Sequence, residues 1–521
     1  MTFKSLHEFV DFLEERRELV RIEEPVSTRL EITEICDRVS KSPNGGKALL
    51  FENVINHNNN NQKSPIPVLI NMLGSQNRMN WALGVEDIEE VANEIRDLVK
   101  KQPPSTFIEK LKMLPTLAKI GSYTPKKVSS GLCQEVVLTG DDIDLTKFPI
   151  IQCWPKDGGS FITFGCTISK DPDNGIRNVG MYRLQVLDKK DKKTTAMHWQ
   201  IHKHGSRHFQ RYKELLRSAN KSDALDRMKR AEEYHLDMRD SVKKKIPIAV
   251  YLGGDPVETF AGACPLPDNF DEFLFAGFLR KKAVELVPCK TIDLEVPANA
   301  EMVIEGYVDP EEPLVDEGPF GDHTGYYTLI DKYPVFHVTA ITHRKKMIYP
   351  TTIVGKPPME DGYMGLAITR IFLPLVQLTF PEIKDMNIPV ETCFHNLAII
   401  SIKKTYPAHA QKIMSSLWGM GQLMFSKCII VVDEDVDVQN LSEVAWRVSN
   451  NIDARRDIVF TEGPVDALDH AAPRFGIGSK MGIDATRKWK EEGFEREWPP
   501  DIEMDEATRR RIDEIWGKLG L

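Results

Sequence analysis

The sequence lacks the features that mark several large classes of protein. Its eight cysteines are scattered and form no Cys-x-x-Cys pair, which fits reduced thiols in a cytoplasmic protein rather than a disulfide framework. The net charge is −9 with both signs interspersed, so no basic field is present that would hold nucleic acid. No apolar run approaches the roughly twenty residues of a membrane span, and no signal peptide is evident. We therefore expect a cytoplasmic protein without a membrane span.

Two glycine-rich motifs are also missing. The run from Gly476 to Thr486 does not meet the Walker spacing, and no helix plainly begins at Lys480, so it does not predict a phosphate loop. A nicotinamide-binding fingerprint is absent as well, which removes the feature that would favour a split-barrel flavin oxidoreductase.

The hydrophobic pattern predicts an α/β protein with three domains. A chain of 521 residues is too long for one hydrophobic core. Strand and helix patterns alternate over residues 1–120, which indicates an N-terminal α/β domain. Residues 121–342 contain short strands separated by glycine, proline and aspartate, which favours a barrel or sandwich. The α/β alternation returns over residues 343–521 and completes a C-terminal α/β domain.

Individual elements follow from the same pattern. The central strands are predicted at residues 135–138, 161–168, 178–186, 246–252, 302–308 and 335–342. Helices are predicted at about 30–39, 209–243, 270–282, 408–420 and 506–519. The terminal helix is amphipathic, and it is expected to pack either on its own domain or against a second subunit.

Residues 316–327 are the segment with the most candidate catalytic side chains, since they include three carboxylates, a histidine and three glycines. Glu317 and Asp322 would face opposite sides of a plain strand. Gly318-Pro319 predicts a turn, and a turn could bring both carboxylates to one side. That layout suits a site in which one acid holds a proton and the other does not. A solvated surface turn is the structural alternative.

Three further clusters could carry chemistry. Asn178 and Arg183 are five residues apart in one predicted strand, so a bulge at Gly180 would be needed for both to serve one cavity. His202 belongs to a run with four histidines in eleven residues, whose spacing fits no zinc motif but allows one histidine ligand completed by distant oxygens. In residues 261–272, small residues and prolines precede Glu272, which is either a ligand or an ordinary helix-dipole carboxylate.

The order of these motifs resembles the UbiD family, the reversible decarboxylases that use prenylated FMN. The resemblance rests on Asn178 to Arg183, on His202, on Pro265-Leu-Pro to Glu272, on Glu317-Gly-Pro-Phe-Gly-Asp322 and on Gly478-Ser-Lys-Met-Gly. Recognisable pieces extend over essentially the whole chain. The resemblance implies that the central domain is a split β-barrel that binds prenylated FMN, and that the C-terminal domain ends in an oligomerisation helix.

The resemblance also assigns roles to single residues. The family's metal ligands fall on Asn178, His202 and Glu272, which would hold manganese(II) beside the flavin phosphate, with potassium nearby. The family's catalytic network falls on Arg183, Glu317 and Asp322, where Asp322 replaces the glutamate of many relatives. Further cofactor contacts fall on a threonine, a proline and a lysine, and so the predicted cofactor-binding residues are Thr163, Asn178, Arg183, His202, Pro265, Glu272 and Lys427.

The implied reaction is the non-oxidative decarboxylation of an aromatic or α,β-unsaturated acid. The family's cofactor bonds covalently to the substrate and acts as the electron sink that no side chain can supply. Carbon dioxide leaves and a carboxylic acid, here Glu317 or Asp322, protonates the adduct. Desolvation is expected to raise the pKa of one of these carboxyl groups and keep it protonated.

The implied partners are a small-molecule acid and a flavin prenyltransferase that supplies the cofactor. We also expect a homo-oligomer, either a dimer or a hexamer, and contact with a membrane surface if the substrate is polyprenylated. Two alternatives remain open: an aromatic carboxylase that uses the same residues in reverse, and a non-catalytic flavin-binding subunit. The second would be expected to lack Arg183, Glu317 or the metal triad, and all of them are present.

Overall fold

We describe the protein from a computed structural model, over residues 3–100, 118–187, 191–200, 204–219, 245–267 and 270–520. The N-terminal domain is built around a mixed sheet of β1, β3 and β6, completed by a strand that follows the central domain. Its helices cover that sheet through the apolar stripes seen in the sequence. The elements of this domain are α1 (Leu6–Glu15), β1 (Leu19–Ile22), β2 (Val26–Ser27), α2 (Glu31–Ser40), β3 (Ala48–Phe51), β4 (Val54–Asn56), β5 (Gln62–Lys63), β6 (Val68–Ile70), α3 (Gln76–Ala82) and α4 (Ile88–Lys100).

The central domain is dominated by one nine-stranded sheet whose order is β11-β10-β14-β17-β20-β13-β12-β9, with β8 added to β20. Its strands are β7 (Lys126–Lys127), β8 (Val136–Thr139), β9 (Phe161–Ile162), β10 (Cys166–Lys170), β11 (Arg177–Met181), β12 (Leu184–Val186), β13 (Thr194–Met197), β14 (Ile246–Leu252), β15 (Glu285–Pro288), β16 (Glu295–Pro297), β17 (Met302–Val308), β18 (Val315–Glu317), β19 (Asp331–Tyr333) and β20 (Val335–His343). Three helices accompany them: α5 (His204–Ala219), α6 (Pro256–Ala263) and α7 (Glu272–Arg280).

The two edges of this sheet meet, which makes it a curled half-barrel. Strand β11 lies at one edge and β12 near the other, yet only Tyr182 and Arg183 join them. Six strand spacings would separate the two strands by about 29 Å in a flat sheet. Three peptide steps span at most about 11 Å. The sheet must therefore curl, and the prediction of a split β-barrel is confirmed.

We call the line where the two sheet edges meet the seam. Two of the predicted strands are wrong there, because each is divided into two strands. Residues 161–168 form β9 and β10, and residues 178–186 form β11 and β12. The bulge at Gly180 that one shared cavity for Asn178 and Arg183 would have needed is not formed, because Gly180 pairs in regular register with Thr167. A side chain at Gly180 would collide with the ring of Tyr182, which turns back over it. The chain therefore changes direction after Met181.

The C-terminal domain contains a five-stranded mixed sheet with the order β22-β23-β24-β26-β25. Before that sheet, β21 (Tyr349–Pro350) runs back to pair in parallel with β6 of the N-terminal domain. The remaining elements are α8 (Glu360–Thr379), β22 (Ile383–Asn387), β23 (Leu397–Ile402), α9 (His409–Trp418), β24 (Cys428–Asp433), α10 (Leu441–Asn451), β25 (Ile458–Pro464), β26 (Ile477–Asp484) and α11 (Glu506–Trp516). Lys480 lies within β26, which agrees with the rejection of a phosphate loop.

Two helices of this domain bear on the sequence-based expectations. Helix α8 has 20 residues and contains an 18-residue segment with a mean hydropathy of 1.2, so it could cross a membrane by length and composition alone. Half of that segment is buried, and the helix packs on α4 and β22 as a core helix does. Helix α11 contains no buried residue, so its apolar stripe is not covered by its own domain.

Candidate active site

Arg183 lies at the seam, held between the two carboxylates that the sequence singled out. Its Nε and Nη2 donate to Glu317 over 2.7 and 3.1 Å, and its Nη1 donates to Asp322 over 2.5 Å. The guanidinium carbon also lies 4.4 Å from the centre of the Phe320 ring, a cation–π contact. The structure therefore brings Arg183, Glu317 and Asp322 into one cluster.

The turn predicted at Gly318-Pro319 brings the two carboxylates together. Gly318 adopts φ +95°, a conformation that favours glycine, and the peptide bond that follows it is cis. Strand β18 ends at Glu317, and Asp322 follows the turn. Glu317 is 1% exposed and Asp322 6%, so neither is the solvated surface carboxylate of the structural alternative.

Both carboxylates have lowered pKa values, so the expectation of one raised carboxyl pKa is wrong for the cluster as it stands. Burial raises the pKa of Glu317, but hydrogen bonds from His198 and Arg183 and the charge of Arg183 outweigh it and lower the pKa to about 2. Burial likewise raises the pKa of Asp322, and the charge of Arg183 with the hydrogen bond from His323 brings it below its ordinary value. Both groups are therefore ionised at neutral pH.

His198 completes the contacts of Glu317 and was missed by the sequence reasoning. Its Nδ1 lies 3.1 Å from Glu317 Oε2, and its ring packs against Tyr333 with centroids 4.4 Å apart. Burial and the neighbouring Arg183 charge lower the pKa of His198, which makes it a neutral donor to Glu317. His198 belongs to the histidine-rich run, and the local enrichment in histidine was the sequence feature that could have indicated it.

Two of the three predicted metal ligands lie side by side. Asn178 is on the edge strand β11, and Glu272 Oε2 accepts the backbone N–H of the next residue, Val179, over 2.9 Å. Both side chains are buried, and burial raises the pKa of Glu272 to about 7. His202 lies outside the described residues. Among the residues that are described, no cluster of three His, Cys, Asp or Glu side chains is arranged to hold a metal.

The other predicted cofactor contacts lie in three different places. Thr163 is at the seam, in the link between β9 and β10, and its hydroxyl donates to the carbonyl of Thr352 over 2.6 Å. Pro265 is exposed in the loop between α6 and α7. Lys427 precedes β24 and forms an ion pair of 3.0 Å with Asp469. Any cofactor contact by these three residues stays a prediction.

A cavity of about 500 Å³ lies between the central and C-terminal domains. On the central side it is lined by Thr324 and Tyr326, which follow Asp322 in the sequence. Lys427 and Asp469 line the other side, and the Tyr326 ring packs against His470 across it, with centroids 4.1 Å apart. The acidic cluster and this cavity together make the domain boundary the candidate active site.

Solved structures with this fold include decarboxylases. A vanillic acid decarboxylase of Sedimentibacter hydroxybenzoicus in closed form matches with a TM-score of 0.80 at 24% identity, over 99% of both chains. The UbiD-class enzyme HmfF of Pelotomaculum thermopropionicum, in complex with FMN, matches with a TM-score of 0.73 at 26% identity, over 97% of this chain and 99% of that one. The half-barrel and the flanking α/β domains are thus the fold of UbiD-class decarboxylases.

Sequence comparison indicates the same family. The models of the N-terminal domain, the Rift-related domain and the C-terminal domain of 3-octaprenyl-4-hydroxybenzoate carboxy-lyase match residues 10–99, 126–357 and 362–485. An uncharacterized protein of Aquifex aeolicus is 51% identical over 519 residues, which is 100% of this chain and 99% of that protein. The chain belongs to the UbiD family of carboxy-lyases, and the family resemblance predicted from its motifs is confirmed.

Proposed function

We propose that this protein is a prenylated-FMN-dependent decarboxylase of an aromatic or α,β-unsaturated carboxylic acid. The observation that carries the proposal is the buried cluster in which Arg183 is shared by Glu317 and Asp322, two residues before Thr324 in the lining of an interdomain cavity. HmfF, which is 26% identical, has been solved with FMN and, in an evolved dimeric form, with prenylated FMN. The same residues would serve the carboxylation direction by microscopic reversibility.

The seam offers buried polar groups that suit a flavin. Within the described residues, His198 Nε2 and Trp199 Nε1 are buried without a hydrogen-bond partner. Buried polar atoms of this kind are rarely left unsatisfied, because each costs about 1–3 kcal/mol. Both follow the end of β13, close in sequence to the predicted ligand His202, and the backbone N–H of His198 donates to the Arg183 carbonyl over 3.2 Å. A polar ring system bound here would satisfy them.

Arg183 can bind a substrate carboxylate and keep its two acids in place at once. A guanidinium has five N–H groups, and among the described contacts three of them donate to Glu317 and Asp322. Two N–H groups remain for a carboxylate, the geometry that guanidinium recognises best. Prenylated FMN would supply the electron sink for decarboxylation when bound.

Asp322 is the better placed of the two acids to deliver a proton after carbon dioxide leaves. Glu317 accepts two hydrogen bonds from Arg183 and contacts the neutral His198, whereas Asp322 accepts one from Arg183 at Oδ2. Its other oxygen, Oδ1, accepts the backbone N–H of His323 and lies 2.9 Å from Nδ1 of that residue, which is a neighbouring proton donor. When the substrate carboxylate leaves Arg183, the charge around Asp322 changes. Because Asp322 is ionised at rest, the proton that it delivers must come from a neighbouring donor.

Asn178, Glu272 and His202 would hold manganese(II), with potassium nearby, in this proposal. An amide oxygen and a carboxylate with one imidazole suit a hard divalent ion better than zinc. The adjacency of Asn178 and Glu272 supports the pair, and the ion would neutralise the flavin phosphate. Residues of the cavity, including Lys427, would contact the substrate or cofactor.

We expect Glu272→Gln to lose bound manganese and to weaken flavin binding at least tenfold. Glutamine keeps an oxygen that can accept from the Val179 N–H but carries no charge for the metal. Metal analysis of the purified protein and flavin titration check this. Glu305→Gln is the matched control, because Glu305 is also buried and also accepts backbone N–H groups, at Lys290 and Thr291. Stoichiometric manganese in Glu272→Gln would rule out the triad.

The proposed function is tested by co-expressing the protein with a flavin prenyltransferase. We expect the released cofactor to have the mass and the ultraviolet–visible spectrum of prenylated FMN, and the loaded protein to release carbon dioxide from aromatic or unsaturated acids. Protein without the prenyltransferase should hold FMN and show no turnover. Failure to retain any flavin in the co-expressed protein would overturn the proposal.

The cellular setting belongs to the same proposal. A cytoplasmic homo-oligomer, a dimer or a hexamer, that receives its cofactor from the prenyltransferase fits the composition and the exposed stripe of α11. Contact with a membrane surface is expected only if the substrate carries a polyprenyl chain.

A further inference from the structure

A line of polar side chains leads from Asp322 away from Arg183 and crosses from the central to the C-terminal domain. Asp322 Oδ2 meets Arg183, whereas Oδ1 lies 2.9 Å from Nδ1 of His323. The other ring nitrogen, His323 Nε2, lies 2.8 Å from Nε2 of His395. These two histidines are 72 residues apart in the chain and belong to different domains. Asp322 therefore contacts a guanidinium on one side and a pair of imidazoles on the other.

The hydrogen bonds determine where His323 carries a proton. An ionised carboxylate only accepts, so the contact between Asp322 Oδ1 and His323 Nδ1 requires a proton on that nitrogen. At the contact between the two Nε2 atoms, one ring donates and the other accepts. His323 therefore directs an N–H group at Asp322 whether its ring is neutral or cationic.

The surroundings favour the cationic form of His323. Three carboxylates face it: Asp322, Asp361 in the first turn of α8, and Asp466. Burial lowers the pKa of His323, but the hydrogen bond and charge of Asp322 and the charges of Asp361 and Asp466 outweigh this and raise it. Burial also raises the pKa of Asp361 to about 7, so its charge varies near neutral pH. His395 and the ring of Phe394, 5.0 Å away, complete the surroundings.

The far end of the line lies at the cavity between the domains. Thr324 follows His323, and Cys393 and Asn396 lie beside His395; all three line the cavity. The loop that holds His395 is packed firmly on α8, since a side chain at Gly365 would collide with that of Phe394. The lining of the cavity therefore begins at the chain neighbours of both histidines, Thr324 and Asn396.

We propose that His323 supplies the proton that Asp322 passes to the product, and that His395 aligns His323 for this transfer across the domain boundary. The proposal rests on the proposed function. The N–H bond at His323 Nδ1 breaks as an O–H bond forms at Asp322 Oδ1. Asp322 then gives this proton to the carbon that carries the electron pair left by carbon dioxide, and one proton taken up from solvent as hydronium restores the imidazolium of His323. Both histidines act through Asp322 and are positioning residues.

The first test needs neither cofactor nor activity, so it stands if the proposed function fails. Nitrogen-15 NMR of histidine-labelled, cofactor-free protein should show one imidazolium at pH 7 that titrates above the ordinary histidine pKa of about 6.5 and is absent from His323→Gln. Its pKa should fall in His395→Gln and in Asp322→Asn. His337→Gln, which removes a histidine paired with Glu312 elsewhere, should leave that signal unchanged. A neutral His323 at pH 7 would overturn the proposal.

The second test uses the loaded enzyme. We expect His323→Gln to lower kcat about 100-fold, the scale of general acid catalysis, with little change in KM and a larger solvent deuterium isotope effect. His395→Gln should lower kcat less and move the alkaline fall of the pH–rate profile to lower pH. A kcat within about threefold of wild type in His323→Gln, with an unchanged pH profile, would contradict the proposal. If His323→Gln fails to fold, His395→Gln and the NMR titration decide.

Discussion

Replacing Arg183 with methionine is expected to lower kcat about 1,000-fold or more and to lower the free energy of unfolding at pH 7 by about 3–5 kcal/mol. The reason is the same for both effects. Methionine fills much of the volume but leaves Glu317 and Asp322 buried without their shared cation. Activity of the loaded enzyme and urea denaturation of the cofactor-free protein measure the two losses.

The pH dependence of the free energy of unfolding identifies the cause of the stability loss in Arg183→Met. In the wild type, a carboxyl group with a lowered pKa stabilises the fold above the unfolded pKa of about 4, and this stabilisation is lost as the pH falls towards the folded value of about 2 for Glu317. In Arg183→Met, the cation that offsets burial is gone, so both pKa values rise relative to the wild type and the folded variant takes up protons more readily. We therefore expect its stability deficit to shrink between pH 7 and pH 5.

Arg370→Met is the matched control for Arg183→Met. Arg370 also joins two carboxylates, Glu89 and Asp385, but it is more exposed and lies away from the seam. It should lose less stability and keep decarboxylation. An equal deficit at pH 7 and pH 5 in Arg183→Met would contradict the assignment of the deficit to the two uncompensated carboxylates.

Asp322→Asn is expected to lower decarboxylation about 10²- to 10⁴-fold while flavin binding largely survives, because asparagine keeps the shape but cannot carry the transferred proton. Incorporation of solvent deuterium at the product carbon should fall with it. Asp322→Glu should keep some activity, since it retains a carboxyl group with a longer reach. Combining Asp322→Asn with Arg183→Met should add little to either change alone, as for residues that act in one step.

Asp316→Asn provides the control from the same stretch. Asp316 is exposed and forms an ion pair with Lys332, outside the cluster. It should leave turnover and deuterium incorporation unchanged. Near-normal turnover in Asp322→Asn would instead assign proton delivery to Glu317 or to water, and would remove the basis for a proton supplied through His323.

The sequence by itself determined the order of the domains, the family and the turn that joins Glu317 to Asp322. These follow from local information: the hydrophobic period changes between domains, and Gly318-Pro319 cannot continue a strand. The motif order identified Arg183 with its two acids before any contact was known. Each of these motifs depends on residues that lie close together in the chain.

The tertiary structure alone decided where the strands break, which charges meet and what lies behind Asp322. Residues 178–186 have the composition of one strand, and only closure of the sheet divides them at Arg183. The pKa values fell because Arg183 sits between two buried carboxylates, whereas desolvation considered alone predicts a rise. His395 reaches His323 from 72 residues away, across a domain boundary. Pairings of this kind are set by packing between domains, which no local pattern encodes.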